Sequence, residues 1–505
     1  MKKASVKIFI IFLMILSNFI MFSCNDEAAE NDNENINNVT ETEIPGFSEA
    51  AAAGKSDQQI IPNLPEMDFE GKIYRVLGRL SEALPQFTNF EIASEAITGE
   101  PVNDAVYNRN IKLEDMYNVV IEQALNEDPG AVLKKSVTAG EDNYSLVFLT
   151  QEPMGTMAAN GSFLNLNLLK YLDFEKPWWN KKINSEISLA GKLYYSTSDF
   201  NMMDKNRTYM LAYNKGMAKT FDLGNFYDLV YEGSWTVDKM TELCRAVADD
   251  LNGDGIMGPD DRWGYGLASP NDFNSLFGSC DNYYITKDAG DNPVLSINNE
   301  RTTTSIDKLL KLTNDKQISF YCADWEGKVS YVLSSAASVT FQDGRSLFCS
   351  SLTHSLKTLA QSDIDYGVLP FPKYDENQKD YITIPDPYAS ALFAIPVSSE
   401  DTDFAAFMLE AVSAASKYEV LPYYYEISTK TKYTQDEESA KMIDLIFSKT
   451  RYDLGGIFNW GGIQTLFRET IPKSGVNNFV SQYEKIENKI VTDMAKTIDL
   501  FEKLS

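Results

Sequence analysis

Histidine is almost absent: the 505 residues hold one, His354. Zinc sites built on two or three imidazoles are therefore excluded, and any Ser-His-Asp or Cys-His arrangement would have to run through His354 itself. That residue stands in Ser350-Ser351-Leu352-Thr353-His354-Ser355, which reads as the solvated start of a helix, where a lone histidine satisfies a local hydrogen bond. Neither GxxxxGK nor GxGxxG occurs, so the phosphate-cradling and dinucleotide-binding loops are missing. Cysteine is sparse too. Beyond Cys24 there are Cys244, Cys280, Cys322 and Cys349, in no metal-like or redox spacing, and disulfides among them stay open. After residue 22 no apolar run approaches the length of a spanning helix. Basic residues are outnumbered, 45 Lys and Arg against 73 Asp and Glu, for a formal charge of −28. Phosphate binding needs clustered cations that displace counterions, so nucleic acid is excluded as a partner and anionic ligands are disfavoured as a class.

The first residues define a compartment. Lys2, Lys3 and Lys7 flank the start of an apolar run, Ile8 to Phe22, which is short for a membrane span and ends at Phe22-Ser23-Cys24. This is an export signal over residues 1–23. A small residue directly before a cysteine at the end of such a run resembles the lipobox of bacterial lipoproteins, in which the Cys, here Cys24, becomes the lipid-bearing first residue. Met21 and Phe22 depart from the usual Leu and Ala or Ser, and a plain secretory peptide is the other reading. Residues 24–66 are rich in Asp, Glu, Asn, Ala and Ser with little to bury, and read as a flexible acidic tether. Removing the leader's three lysines takes the charge to about −31.

About 440 residues remain, more than one core normally serves, so two lobes are expected. With 27 Tyr and 28 Phe there are aromatics enough for two cores and a site. Lys72 to Leu77 alternates as a first strand running into Gly78-Arg79. Val102 to Asn118 has helical spacing, and Val119-Val120-Ile121 follows as a strand. Tyr144 to Leu149, YSLVFL, has the composition of a strand buried on both faces. Strands alternating with helices imply an α/β sheet, in which ligands collect beyond the strand ends; that points to Arg79 and to Gln151-Glu152. Leu193 to Ser196, Tyr209 to Asn214, Ala337 to Gln342, Tyr366 to Leu369 and Ala391 to Ile395 are further strand candidates. Trp235 to Ala248, capped by Ser234 or Thr236, Asp403 to Ala415 and Val476 to Leu504 read as helices.

The sharpest local motif is Asp250-Leu251-Asn252-Gly253-Asp254-Gly255-Ile256-Met257-Gly258-Pro259-Asp260-Asp261. Asp250, Asn252, Asp254 and Asp261 place oxygen donors in the register of a calcium loop, Ile256 offers its carbonyl, and Gly255 allows the sharp turn. Gly258 leaves one position to water, and Asp261 is shorter than the usual Glu. Read this way the loop holds a structural Ca²⁺; the other reading is an Asp/Asn/Gly-rich surface turn.

The succession of features resembles the extracellular solute-binding proteins of ABC importers, the broad sugar-binding family that includes the maltose-binding type. The matching order runs through YSLVFL, Leu211-Ala212-Tyr213-Asn214-Lys215, Asp222-Leu223, Gly233-Ser234-Trp235-Thr236, Ser338 to Arg345, Tyr366 to Pro372 and Ala391 to Pro396. The resemblance implies an α/β, two-lobed periplasmic-binding-protein-like fold with a central inter-lobe cleft and a hinge crossed three times. Residues 67–207 and 388–432 would form the N-terminal lobe, and 208–387 and 433–505 the C-terminal lobe. It implies ligand-binding roles for Arg79, Gln151, Glu152, Arg207, Asn271, Asp272, Phe273 and Arg345. Trp460 falls where the family often puts a stacking aromatic, and a core anchor is its other reading.

The expected protein is thus a monomeric solute receptor, not an enzyme. It would be held on the outer membrane face by a lipid alone, bind a small solute, a sugar first, and hand it to ABC permease subunits. The rival is a surface enzyme cutting polysaccharide with two carboxylates, which so acidic a chain could hide. Arg79, Arg207 and Arg345 exceed what a neutral sugar needs and leave acidic sugars or a small peptide open.

Overall fold

A computed structural model of the chain describes residues 61–267, 269, 271–325, 339–425 and 434–504. The leader, Cys24 and the tether up to residue 60 lie outside the described residues.

Two mixed sheets carry the architecture. The first has β1 (Lys72–Arg79), β2 (Val119–Asn126), β3 (Leu146–Thr150) and a late strand, β11 (Ala391–Ala394), in the order β11-β3-β1-β2. β1 runs parallel to both β2 and β3, while β11 returns antiparallel on β3. The parallel part follows from helical crossovers: α1 (Pro101–Tyr117) links β1 to β2, and α2 (Pro129–Ala139) links β2 to β3. Both helices begin with Pro at the first position after an acidic cap, Glu100 accepting from the Asn103 amide and Asp128 from that of Ala131. β3 is flanked on both sides, so Leu146, Val147, Phe148 and Leu149 are all buried, as their unbroken apolar run requires.

The second sheet contains β4 (Tyr209–Asn214), β5 (Trp263–Leu267), β8 (Ser319–Tyr321), β9 (Ser346–Leu352) and β10 (Tyr366–Leu369), ordered β10-β4-β9-β5-β8. A two-stranded ribbon, β6 (Ile285–Lys287) with β7 (Pro293–Leu295), stands apart. The helix Val237–Val247, capped by Thr236, packs on β5, and the helix Glu437–Ser448 packs on β10. The chain passes between the sheets at Arg207-Thr208, before β4, and again at Pro385 to Ser390, before β11. These two passages lie side by side, with Thr208 bridging Pro385 antiparallel and the Asp386 amide donating to the Arg207 carbonyl at 2.9 Å. A third passage runs from the helix Thr402–Glu419, against α1, to Glu437–Ser448 through residues 426–433, outside the described set. Two sheets, joined by these side-by-side passages, make a two-lobed body.

Several expected elements differ. Leu193 to Ser196 forms only one isolated bridge, Ser196 with Phe393. Of the strand expected at Ala337 to Gln342, Val339–Gln342 is a helical turn, closed by Gly344 at φ 73°; residues 337 and 338 lie outside the described residues. An apolar run that short does not distinguish helix from strand. The four cysteines after Cys24 are free, buried thiols. No helix among the described residues is long and apolar enough to cross a membrane.

Candidate functional site

The C-terminal ends of β1 and β3 open beside the hinge, and a cavity of about 240 Å³ lies there. Arg79 at the end of β1, Thr150 at the end of β3, Asp128-Pro129-Gly130 at the start of α2, Phe87, Asn89 and Tyr388 line it. This is where an open α/β sheet gathers ligands, because strand ends leave loops and helix starts free to face a solute.

Arg79 is the cationic wall. Its Nη1 donates to the Tyr388 carbonyl at 3.3 Å, and its guanidinium lies 5.5 Å from the centre of the Phe87 ring. Burial pulls its pKa down, opposed by the Asp386 carboxylate. Asn89 fixes the strand end by accepting from the Arg79 amide at 2.7 Å. Phe87 sits on a short turn, Pro85–Phe87, and its other neighbours come from the hinge: the Arg207 guanidinium at 4.3 Å and the His354 ring at 6.2 Å. Arg207 itself is buried, which pulls its pKa down to about 10. Tyr388 supplies a half-buried aromatic, with the Arg468 guanidinium 4.4 Å from its ring centre.

Asp386, one residue into the second hinge passage, ties these parts together. It accepts from Tyr209 Oη at 3.2 Å, from Asn271 Nδ2 at 3.2 Å and from the Tyr388 amide at 2.9 Å. Burial raises its pKa, and these donors and Arg207 oppose that rise.

The structure brings only some of the expected residues to this cavity. Arg79 lines it, and Arg207 does not, packing instead on the Phe87 ring. Gln151 turns the other way: it is buried, donates to Ser390 Oγ at 2.9 Å and faces a small space of about 20 Å³ shared with Arg451, Asp453 and Gln464. Glu152 accepts from Asn459 Nδ2 at 3.4 Å. Asn271, Asp272 and Phe273 open a buried helix, Asn271–Ser279, at the hinge end of the second sheet; Asn271 serves Asp386, Asp272 accepts from Ser350 Oγ and the Ser269 amide, and Phe273 is core. Arg345 lies at the wrong end of its strand. It precedes β9, whose other end reaches the hinge, about 20 Å away at a strand's rise. There it pairs with Asp343 and donates to the Pro259 carbonyl. Trp460 is the core anchor: 3 % exposed, stacked on Phe458 at 4.7 Å, with Nε1 donating to Thr497 Oγ1.

In the Asp250 loop the side chains serve the local backbone. Asp250 accepts from the Gly253 and Gly255 amides, Asn252 from that of Asp254, Asp254 from that of Ile256, and the buried Asp261 from those of Leu251 and Gly258. No group of three or more His, Cys, Asp or Glu among the described residues is drawn together as a metal site.

Phe87, Tyr388, Asp128 and Asp386 were not expected from sequence. Ile384-Pro385-Asp386-Pro387-Tyr388 did carry a signal, since two prolines around one residue hold an extended, rigid segment. Glu127-Asp128-Pro129-Gly130 after an alternating strand likewise marks a capped helix start at a strand end.

The bacterial extracellular solute-binding protein family model matches residues 112–443, and the chain belongs to that family. Solved structures share the fold over nearly their whole length. An ABC substrate-binding protein from Listeria monocytogenes in complex with cycloalternan is 12 % identical, with a TM-score of 0.51 over 86 % of this chain and 99 % of that one. A sugar transporter from Rhizobium etli in an open conformation is 14 % identical, with a TM-score of 0.54 over 85 % and 99 %. Apo RafE from Streptococcus pneumoniae is 13 % identical, with a TM-score of 0.53 over 85 % and 98 %. No curated protein matches the chain.

Proposed function

We propose that this solute-binding protein is the carbohydrate receptor of an ABC importer, tethered outside the cell through a lipid on Cys24. In this reading it captures an oligosaccharide between its lobes by hinge closure and delivers it unaltered to permease subunits. The observation that carries the reading is the cavity beside the hinge. Phe87 and Tyr388 give the cavity an aromatic lining for the C–H side of a sugar, while Arg79, Asn89 and Asp128 offer hydrogen bonds to its hydroxyls. The named ligand cycloalternan and the sugar transporter among the fold's neighbours support the same class. The test is a thermal-shift screen of mono- and oligosaccharides with assay of new reducing ends. A saturable rise in Tm without new ends is expected; turnover would replace the receptor with the polysaccharide-cutting enzyme.

The same proposal includes Ca²⁺ as a structural clasp on Asp250, Asn252, Asp254, Asp261 and the Ile256 carbonyl. Its support is the donor order and the tight turn at Gly255, φ 79°. Millimolar Ca²⁺ is expected to raise Tm and EDTA to lower it, with Asp250→Ala abolishing the difference; identical melts in both would remove calcium from the account.

A further inference from the structure

Arg207 has an incomplete environment. All three of its guanidinium nitrogens are buried, and none has a hydrogen-bond partner among the described residues. A buried charge without a partner is costly, and this chain carries 73 carboxylates that could have supplied one. Other buried arginines here have partners: Arg109 donates to Asn110, Ser416 and two carbonyls, and Arg451 to Asp281 and two carbonyls, with only its Nε left over. The second cation near Arg207 is Arg79, whose guanidinium packs on the same Phe87 ring and whose side-chain hydrogen bond among the described residues goes to a carbonyl. Two like charges are thus held around one ring, and neither forms an ion pair among the described residues, the Asp386 carboxylate acting on both only through space.

We infer that the solute carries a carboxylate, which Arg79 and Arg207 take up together beside Phe87, so that the receptor selects acidic saccharides over neutral ones. This rests on the carbohydrate-receptor reading above and narrows it. The guanidinium fork suits a carboxylate because two parallel N–H donors meet its two oxygens. The cavity is graded to match. Glu127 and Asp128 lie at its α2 end, where they accept from hydroxyls, and Arg79 and Phe87 lie at its hinge end. Arg79 lines the cavity, whereas Arg207 packs on the same Phe87 ring outside its lining, so the carboxylate meets Arg79 first and reaching Arg207 requires Phe87 to move. The chain's overall negative charge does not forbid this, since charges beyond a Debye length of about 10 Å are screened.

The test titrates full-length exported protein with digalacturonate, with galactobiose of the same linkage, and with the dipeptide Glu-Glu. Digalacturonate is expected to bind at least about tenfold more tightly than galactobiose, the worth of one charge-assisted contact. Arg79→Gln and Arg207→Gln should each erase that preference. Arg79→Gln keeps the test valid if Arg207→Gln fails to fold, because Arg79 is only half-buried. Equal binding of the two sugars would overturn the inference and leave the carbohydrate reading standing. Binding of Glu-Glu alone, lost in Arg79→Gln, would keep the paired-arginine carboxylate site and remove the carbohydrate. No binding of either acidic probe would overturn the inference.

Discussion

Gly155→Leu is expected to leave no folded protein, and Gly155→Ala to lower stability by about 2 kcal/mol, although alanine is the better helix former by roughly 1 kcal/mol. Gly155 lies in the helix α3 (Gln151–Ala159), which follows β3, where the helix Leu454–Phe458 crosses it. A Cβ there would stand 2.5 Å from the Ile457 carbonyl oxygen and 2.9 Å from its carbon, both backbone atoms that cannot rotate away. The same crossing holds Gln151 and Gln464 over the small space beside the hinge, so the damage would reach the seam where the last segment of chain meets the first lobe. Gly130 on α2 is the control. Its added Cβ would meet nothing closer than 3.5 Å, so Gly130→Ala should be neutral or slightly stabilising. Thermal melts of the two alanine variants decide it; equal Tm values would refute the crossing as described.

Stability is expected to fall as pH rises from about 4.5 to about 7, the reverse of a protein held by paired surface carboxylates. Three buried acids set the sign. Burial pushes Glu91 up to about 7, Glu410 up to about 7 and Asp453 up to about 6. Glu410 lies beneath Trp178 and Trp179, accepting from both indoles at 3.2 and 2.9 Å. Asp453 accepts from the Gly455 and Tyr284 amides at 2.7 and 2.8 Å. Each folded pKa exceeds its unfolded value, so between the two the native state holds more protons, and raising pH draws the equilibrium toward the unfolded chain. The loss is complete once pH passes the folded values. Below about pH 4 the trend reverses, because Asp401 beside Lys72 and Asp436 beside Lys215 have lowered pKa values and lose those pairs on protonation. Tm should therefore be several degrees higher near pH 5.5 than near pH 8, and a Tm rising steadily across that range would contradict the assignment.

What the sequence disclosed follows from what periodicity can encode. YSLVFL is legible because a strand covered on both faces needs an unbroken apolar run, and β3 is that strand. Val102 to Asn118 is legible as a helix because its spacing is helical; the helix observed, Pro101–Tyr117, starts one residue earlier and ends before Asn118, which stands at φ 50°. The place of Arg79 is legible because the alternating strand before it ends there, and that strand end faces a cavity. Arg345 misled because proximity to a strand says nothing about which end of the sheet faces the hinge, and strand direction is a tertiary property. Trp460 misled for a related reason: a Trp near glycines can stack on a ligand or on Phe458, and only packing tells which. Phe87 and Tyr388 stayed hidden because their roles arise from segments distant in sequence meeting at the hinge.

The central claim is capture without chemistry in the cleft beside Arg79 and Tyr388. Calorimetric titration with the saccharide that most raises Tm, followed by chromatography of the recovered sugar, tests it most directly. One saccharide bound per chain, lost in Tyr388→Ala, with every sugar molecule recovered intact, is the predicted result. Shortened fragments in the recovered sugar, or binding untouched by Tyr388→Ala, would contradict it.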